Sequence, residues 1–252
     1  MYFTRFPINM TRRETRRMLA SPYRLHAAVV GSFPFNGYAE SEGRILWRID
    51  EHSNEGAYLY IVSPMQPSLI GLNEQIGFPD LEPLWKTRDY EPFLKQISVG
   101  QRYTFRLVAN PTVSRSTRGE NTQVANTHGS SKRIPHLTIM QQGAWLVGEE
   151  AYNGTDVEVP KLFSRETTTR ASRNGFRVLK NQDDTPCLII SHSHKQTFIK
   201  NPGTRITLMS AQYDGVLEVT NSEALRHALT NGIGHGKGFG CGLLTLAVSR
   251  KE

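Results

Sequence analysis

Cysteine is scarce in this chain. Cys187 and Cys241 are the two among 252 residues, too few and too far apart for a disulfide framework or a zinc site. Both are expected as buried thiols. Long apolar runs are missing too: none approaches the roughly 20 residues a membrane-spanning helix requires, so the chain is expected to be soluble and to have no membrane partner. The opening residues, MYFTRFPINM, lack the charged-then-apolar pattern of an export signal and read as a first strand, which makes the cytoplasm the expected compartment. Acidic side chains are in deficit. No cluster of carboxylates, or of cysteines with histidines, has the spacing of a metal site, so neither metal nor cofactor is expected.

What is present is positive charge. Thirty Lys and Arg stand against 23 Asp and Glu, a formal charge of +7 and a pI near 9.5. The excess is clustered: Arg12, Arg13, Arg16, Arg17 and Arg24 lie in one segment, and Arg165, Arg170, Arg173, Arg177 and Lys180 in another. Clustering points to a polyanion and to a phosphate-binding face, with a solvated charged surface as the simpler alternative for either cluster.

The length suits two small domains, with a boundary near residue 100. After the first strand, Thr11 and Glu14 have capping-box spacing and predict a helix start. Ser21 then offers an N-cap with Pro22 at the first helical position, which places Tyr23, Leu25, His26, Val29 and Val30 on a second helix ended by the segment from Gly31 to Pro34. GRILWRID and AYLYIVSP read as paired strands, and the proline-dotted stretch from Pro64 to Trp85 as a connector with little regular structure. In the second half, GQRYTFRLVANPT predicts a strand, the segment from Ser114 to Ser131 a polar tract, and the segment from Ile134 to Tyr152 a helix. Strands return at GFRVLK, PCLIISHSH and TRITLMSAQYDGVLEV, where YDG is a hairpin signal. NSEALRHALTNGIG predicts a capped helix and LLTLAVS a last strand. Strand, helix, strands, helix, strand is the order of a ferredoxin-like unit, and the first half, read as strand, helix, strand, strand, looks like a second copy. The predicted fold is therefore α+β, with two tandem ferredoxin-like (RRM-like) βαββαβ domains over residues 1–98 and 99–252.

Glycines at 232, 234, 236, 238, 240 and 242 in NGIGHGKGFGCGLL form the most distinctive stretch. It is no Walker loop, because Gly238 follows Lys237 where Ser or Thr is required and Asn231 stands where the first glycine should be. A backbone without side-chain bulk can approach a phosphate chain while Lys237 supplies charge; a flexible turn packed on the sheet is the other reading. This loop, the strand FRLVANP, YRLH near residue 25, and YDG followed by LEVT together resemble the CasE family, the CRISPR RNA-processing endoribonucleases of type I-E systems. The resemblance runs the length of the chain.

It implies two ferredoxin-like domains and metal-independent cleavage of the CRISPR repeat RNA hairpin on its 3′ side. The 2′-hydroxyl attacks the adjacent phosphate, the 5′-oxygen leaves, and a 2′,3′-cyclic or 3′ phosphate results. Tyr23 and His26 match the family's catalytic pair, and their i, i+3 spacing puts them on one helical face. His26, with a reference pKa of about 6.5, suits general acid catalysis at the 5′-oxygen. Tyr23, a phenol with a reference pKa of about 10, is assigned to orienting the 2′-hydroxyl or the phosphate, and the general base stays open. RNA contacts are expected from His235, Gly236, Lys237 and Gly238 of the glycine loop, from Arg165, Arg170 and Arg173, and from Lys200 with Arg205. His192 and His194 alternate on one strand face and read as structural. Expected partners are the repeat hairpin, the processed crRNA and other Cascade subunits. A non-catalytic RNA-binding subunit and a purely structural component of the same complex are the competing readings.

Overall fold

The computed structural model describes residues 1–34, 43–52, 56–115, 132–148, 169–201 and 203–248. Strand β1 (Tyr2–Ile8) alternates, burying Thr4, Phe6 and Ile8 on one face. Helix α1 (Arg13–Leu19) starts without the expected capping box. Thr11 gives its hydroxyl and amide to Asn9 Oδ1, at 2.6 and 3.1 Å, and Arg12 takes the cap position. A bond two residues back has outcompeted the cap. Helix α2 (Pro22–Val30) begins as its sequence predicts: Ser21 Oγ accepts from the Arg24 N–H at 3.4 Å, and Gly31 closes the far end. Its buried residues Pro22, Leu25 and Val29 repeat at helical spacing and seal one face of β1.

β2 (Leu46–His52), β3 (Gly56–Ser63), α3 (Ile70–Ile76) and β4 (Lys86–Asp89) complete the first unit. The antiparallel sheet order β2-β3-β1-β4 is that of a ferredoxin-like fold. The segment read as an irregular connector thus contains α3, held because Leu72 and Ile76 bury against Phe6 and Leu59 in the core. After α4 (Glu91–Gln96) comes the second unit: β5 (Arg102–Ala109), the small ribbon β6 (Thr112–Arg115) with β7 (Lys132–Pro135), α5 (Ile139–Val147), α6 (Arg170–Arg173), β8 (Phe176–Val178), β9 (Leu188–Asn201), β10 (Thr204–Val219), α7 (Ser222–Asn231) and β11 (Leu244–Val248). Its sheet order β11-β5-β10-β8, with β9 added on β10, repeats the pattern. The chain is α+β with two tandem ferredoxin-like units.

Three expectations for this half are corrected. The helix predicted from Ile134 is shorter: residues 132–135 are strand, Thr138 and Gln141 form a capping box, and Gly148 at φ 91° ends it. Residues 149–152 and 116–131 lie outside the described residues. YDG is no turn, because Tyr213, Asp214 and Gly215 run straight through β10, paired with Leu107, Arg106 and Phe105 on one side and Ile190, Ile189 and Leu188 on the other. Full burial of Tyr213 overrides the local signal. The strands that form a hairpin are instead β9 and β10, paired out to Asn201 and Thr204. Finally, Cys187, expected as a buried thiol, is half-buried, while Cys241 is buried as expected.

From Thr204 to Ser210, β10 is paired with β9 alone among the described strands, so the two project from the sheet as an arm. The arm departs at a bulge between Ser210 and Gln212, opposite His192, which takes φ 48°. The bulge breaks the alternation predicted for His192 and His194, and His194 Nδ1 lies 3.0 Å from the His192 carbonyl and 3.3 Å from Ser210 Oγ. Among the described residues, no group of three His, Cys, Asp or Glu side chains is placed to hold a metal, and no helix is long and apolar enough to cross a membrane.

The two sheets are joined by Arg48 of β2, 2% exposed. Its guanidinium grips both oxygens of Asp50 at 2.6 and 2.8 Å and donates to the carbonyls of Arg106 and Leu243 and to Thr245 Oγ1. Leu46 and Val62 extend the second core into the first unit.

Candidate active site

Four elements meet at α2. The chain leaving α7 turns back through its glycines, and residues 237–239 form a single 3-10 turn flanked by Gly236 and Gly240, both at φ 81°. The turn is closed by its own backbone: the amides of Phe239 and Cys241 donate to the Gly236 carbonyl, and Gly242 donates to Val108 of β5. It is a built feature packed on α2, and several of its amides are already occupied.

His26 projects from α2 into this turn. Trp47 of β2 donates its Nε1–H to His26 Nδ1 at 3.2 Å. The other nitrogen faces Gly238, where a Cβ would stand only 3.2 Å from Nε2. Gly238 is therefore a matter of space, and Gly240 of both space and conformation: at φ 81°, a Cβ there would come within 2.7 Å of the Trp47 ring. Burial lowers the pKa of His26 below the ordinary histidine value.

Tyr23, one turn back on the same helix, packs with Phe198 and Leu208 of the arm and with Cys241 and Phe239 of the glycine segment. Phe198 and Phe239 meet edge to face at 5.0 Å. Tyr23 is thus held between the arm and the glycine segment. Burial pushes the Cys241 thiol up to about 12, which leaves it an inert packing group.

A cationic cluster adjoins the turn. His235 pairs its backbone with Asn110 at the end of β5, and its pKa is lowered by burial and then by the charges of Arg133, Arg170 and Lys237. Arg170 stacks over Trp145, 4.5 Å from the ring centroid. Lys237 is lowered by burial and by Arg44. Of the other residues predicted from sequence, Arg173 is exposed on α6, Lys200 and Arg205 are exposed near the tip of the arm, and Arg165 lies outside the described residues. Arg177 and Lys180 are engaged with Glu218 and Asp184 at 2.6 and 2.7 Å, so the second basic cluster does not act as one patch.

The structure therefore brings His26, Tyr23, Gly236, Lys237 and Gly238 together, with His235 and Arg170 beside them. It also supplies two groups the sequence reading passed over, Trp47 and Arg133, and sets Gly240 of the glycine stretch against the Trp47 ring. A tryptophan within an apolar strand reads as core, and the sole hint was the run Ile45, Leu46, Trp47, Arg48, buried on both faces where a surface strand would alternate.

A family model described as CRISPR associated protein matches residues 1–248. The chain is 25% identical over 252 residues to the CRISPR-associated endoribonuclease Cse3 of Thermus thermophilus, covering 98% of this chain and 100% of that one. It is 25% identical over 228 residues to the CRISPR system Cascade subunit CasE of Escherichia coli, covering 89% and 91%. A solved structure of CRISPR endoribonuclease Cse3 bound to a 19-nucleotide RNA shares the fold, with a TM-score of 0.70 at 24% identity over 98% of this chain and 100% of that one. Matched by the family model along nearly its whole length, the chain belongs to the CRISPR associated protein family, in the CasE branch that its own motifs resemble.

Proposed function

We propose that this protein is an endoribonuclease that cuts CRISPR repeat RNA at the 3′ base of its hairpin and stays on the product as a subunit of a Cascade-type assembly, in the cytoplasm. The observation that carries the reading is the seat of His26, half-buried, with Nε2 directed at an open glycine turn beside Lys237. An RNA phosphate lying along that turn would meet Nε2 on one side and the cations of Lys237, Arg133 and Arg170 on the other.

The chemistry needs no external nucleophile. The 2′-hydroxyl gives up its proton to solvent and attacks its own 3′-phosphate, the P–O5′ bond breaks, and a proton must reach the departing 5′-oxygen. His26 supplies it. Burial holds its pKa low in the free protein, and an adjacent phosphate raises it toward neutrality, where a general acid is most effective. Tyr23, clamped by the arm and the turn, orients the hydroxyl or the phosphate. Products are a 5′-hydroxyl and a 2′,3′-cyclic phosphate, which water can afterwards open to a 3′ phosphate. Residues 1–98 contribute the pair on α2 and residues 99–252 the glycine turn, the arm and the cationic cluster, so the site belongs to both units.

The test is incubation of the purified protein with a labelled repeat hairpin in excess EDTA, beside His26→Ala and an RNA with one 2′-deoxy nucleotide before the cut. A single cut lost with both changes is expected. Binding without cleavage by the wild type would replace this reading with a non-catalytic RNA-binding subunit.

A further inference from the structure

Trp47 has no part in the cleavage chemistry described so far, although it bonds the ring that performs it. It lies 21 residues along the chain from His26, is 3% exposed, and is packed against Gly240. An indole nitrogen has a proton to give and no lone pair to offer, so His26 Nδ1 must be the acceptor of the 3.2 Å bond. A neutral imidazole that accepts at Nδ1 carries its proton on Nε2. The imidazolium carries protons on both nitrogens and would set two donors head to head across that distance.

The resting ring is therefore inert in both directions. Nε2 has no free electron pair with which to take the proton of the 2′-hydroxyl, and surrendering its own proton would leave an imidazolate. We propose that Trp47 is a positioning residue that locks His26 in the neutral Nε2–H form until an RNA phosphate seated beside Nε2 draws the ring into its cationic form and away from the indole. In that step Nδ1 takes a proton from solvent and the Trp47 bond breaks. The imidazolium then passes its Nε2 proton to the 5′-oxygen as the P–O5′ bond breaks, and is left neutral with its proton on Nδ1. Exchange with solvent restores the resting tautomer. An RNA that fails to seat a phosphate at Nε2 meets an uncharged histidine whose proton is not available.

The ionisable groups on the elements packed against α2 include Arg13, Glu14, Arg16 and Arg17 on α1, Tyr2 and Arg5 on β1, Lys237 on the glycine turn, His192, His194, Lys195 and Lys200 on β9, and Arg205, Tyr213, Asp214 and Glu218 on β10, with Tyr23 and Arg24 on α2 itself and Arg48, Asp50 and Glu51 on the strand of Trp47. Burial lowers the pKa of His26, and the indole bond, made to the neutral ring only, acts in the same direction.

The catalytic consequence rests on the cleavage reading, whereas the state of the ring is measured without RNA. Trp47→Phe keeps a ring against Gly240 and removes the N–H. Nitrogen-15 NMR of the RNA-free wild type is expected to find neutral His26 protonated on Nε2 and bare on Nδ1, a result that needs no variant. In the variant the His26 pKa should rise by about 0.4 to 1 unit, the equivalent of one neutral hydrogen bond. The pH at which single-turnover cleavage of the hairpin declines should rise by the same amount, a shift that a merely structural role would not produce. A neutral wild-type ring protonated on Nδ1 overturns the proposal, as does an unmoved titration in the variant. A titration that moves without the cleavage profile overturns the gate. Should the wild type not cleave, the cleavage reading fails by itself, and the titration alone then decides whether the indole locks the ring.

Discussion

Adding one methyl group at residue 238 tests the geometry of the site most directly. Gly238 is not among the glycines with positive φ, so alanine fits its backbone without strain, and relief of unfolded-state entropy offsets the crowding by about 0.4–1 kcal/mol. The new Cβ would lie 3.2 Å from His26 Nε2, 3.4 Å from Cδ2 and 3.6 Å from Cε1. Ordinary non-bonded contacts optimise at about 3.5–4.0 Å, so the ring must retreat by a few tenths of an ångström, and the methyl stands where a phosphate would approach. General acid catalysis contributes about 10²–10⁴-fold, and a methyl standing in the phosphate's approach to Nε2 removes at least the lower end of that. Gly238→Ala should accordingly lose about two orders of magnitude in single-turnover cleavage while its melting temperature stays within a few degrees of wild type. Gly240→Ala makes the contrast. There the backbone is left-handed and the Cβ meets Trp47 at 2.7 Å, so stability and cleavage should fall together. Wild-type cleavage by Gly238→Ala would refute the placement of Nε2 at this turn.

Arg48→Met should destabilise the fold by about 3–5 kcal/mol in urea unfolding, because Asp50, 5% exposed, is left as a buried charge. Arg106 at 3.5 Å from Asp50 keeps the loss toward the lower end, and Arg48→Met with Asp50→Leu should recover most of it. Stability should also fall on acidification through the histidine range. His26, His136 and His235 are all lowered in the folded chain, so between their folded values and about 6.5 the unfolded chain binds more protons, and unfolding free energy rises with pH across that window. Melting curves from pH 5 to 8 that are flat would contradict the burial of these rings. Lys200→Ala and Arg205→Ala, exposed on the arm, should each weaken hairpin binding and reduce its salt slope by about one, without moving the cut. Binding isotherms at several salt concentrations decide this.

Local chemistry made much of this legible from sequence. Ser21 and Pro22 announce α2 because a cap and a fixed φ act within four residues, and the spacing of Leu25 and Val29 says which face is buried. Expectations failed where partners distant in sequence outvoted a local preference. YDG became mid-strand because Tyr213 sits between β5 and β9, and the capping box at Thr11 yielded to Asn9. The glycine stretch was visible as an anomaly, but its reasons were not. Gly236 and Gly240 answer to backbone conformation, whereas Gly238 answers to a histidine on another helix. Nothing in an alternation of glycines separates those two demands.

The same limit explains why Trp47 went unseen, and it reveals how the site is held. Successive residues of a strand face opposite ways, so Trp47 and Arg48 divide the two sides of β2 between them. On one side the indole touches Gly240 and holds His26. On the other, Arg48 fixes the carbonyl of Leu243, immediately beyond the glycine stretch, and that of Arg106 in β5. Two adjacent residues therefore set both the orientation of the His26 ring and the position of the turn it faces. A slip of one unit against the other would carry the turn away from His26 and loosen the indole at once. The buried ion pair, costly to desolvate, is thus placed where it holds the candidate site together as well as the fold.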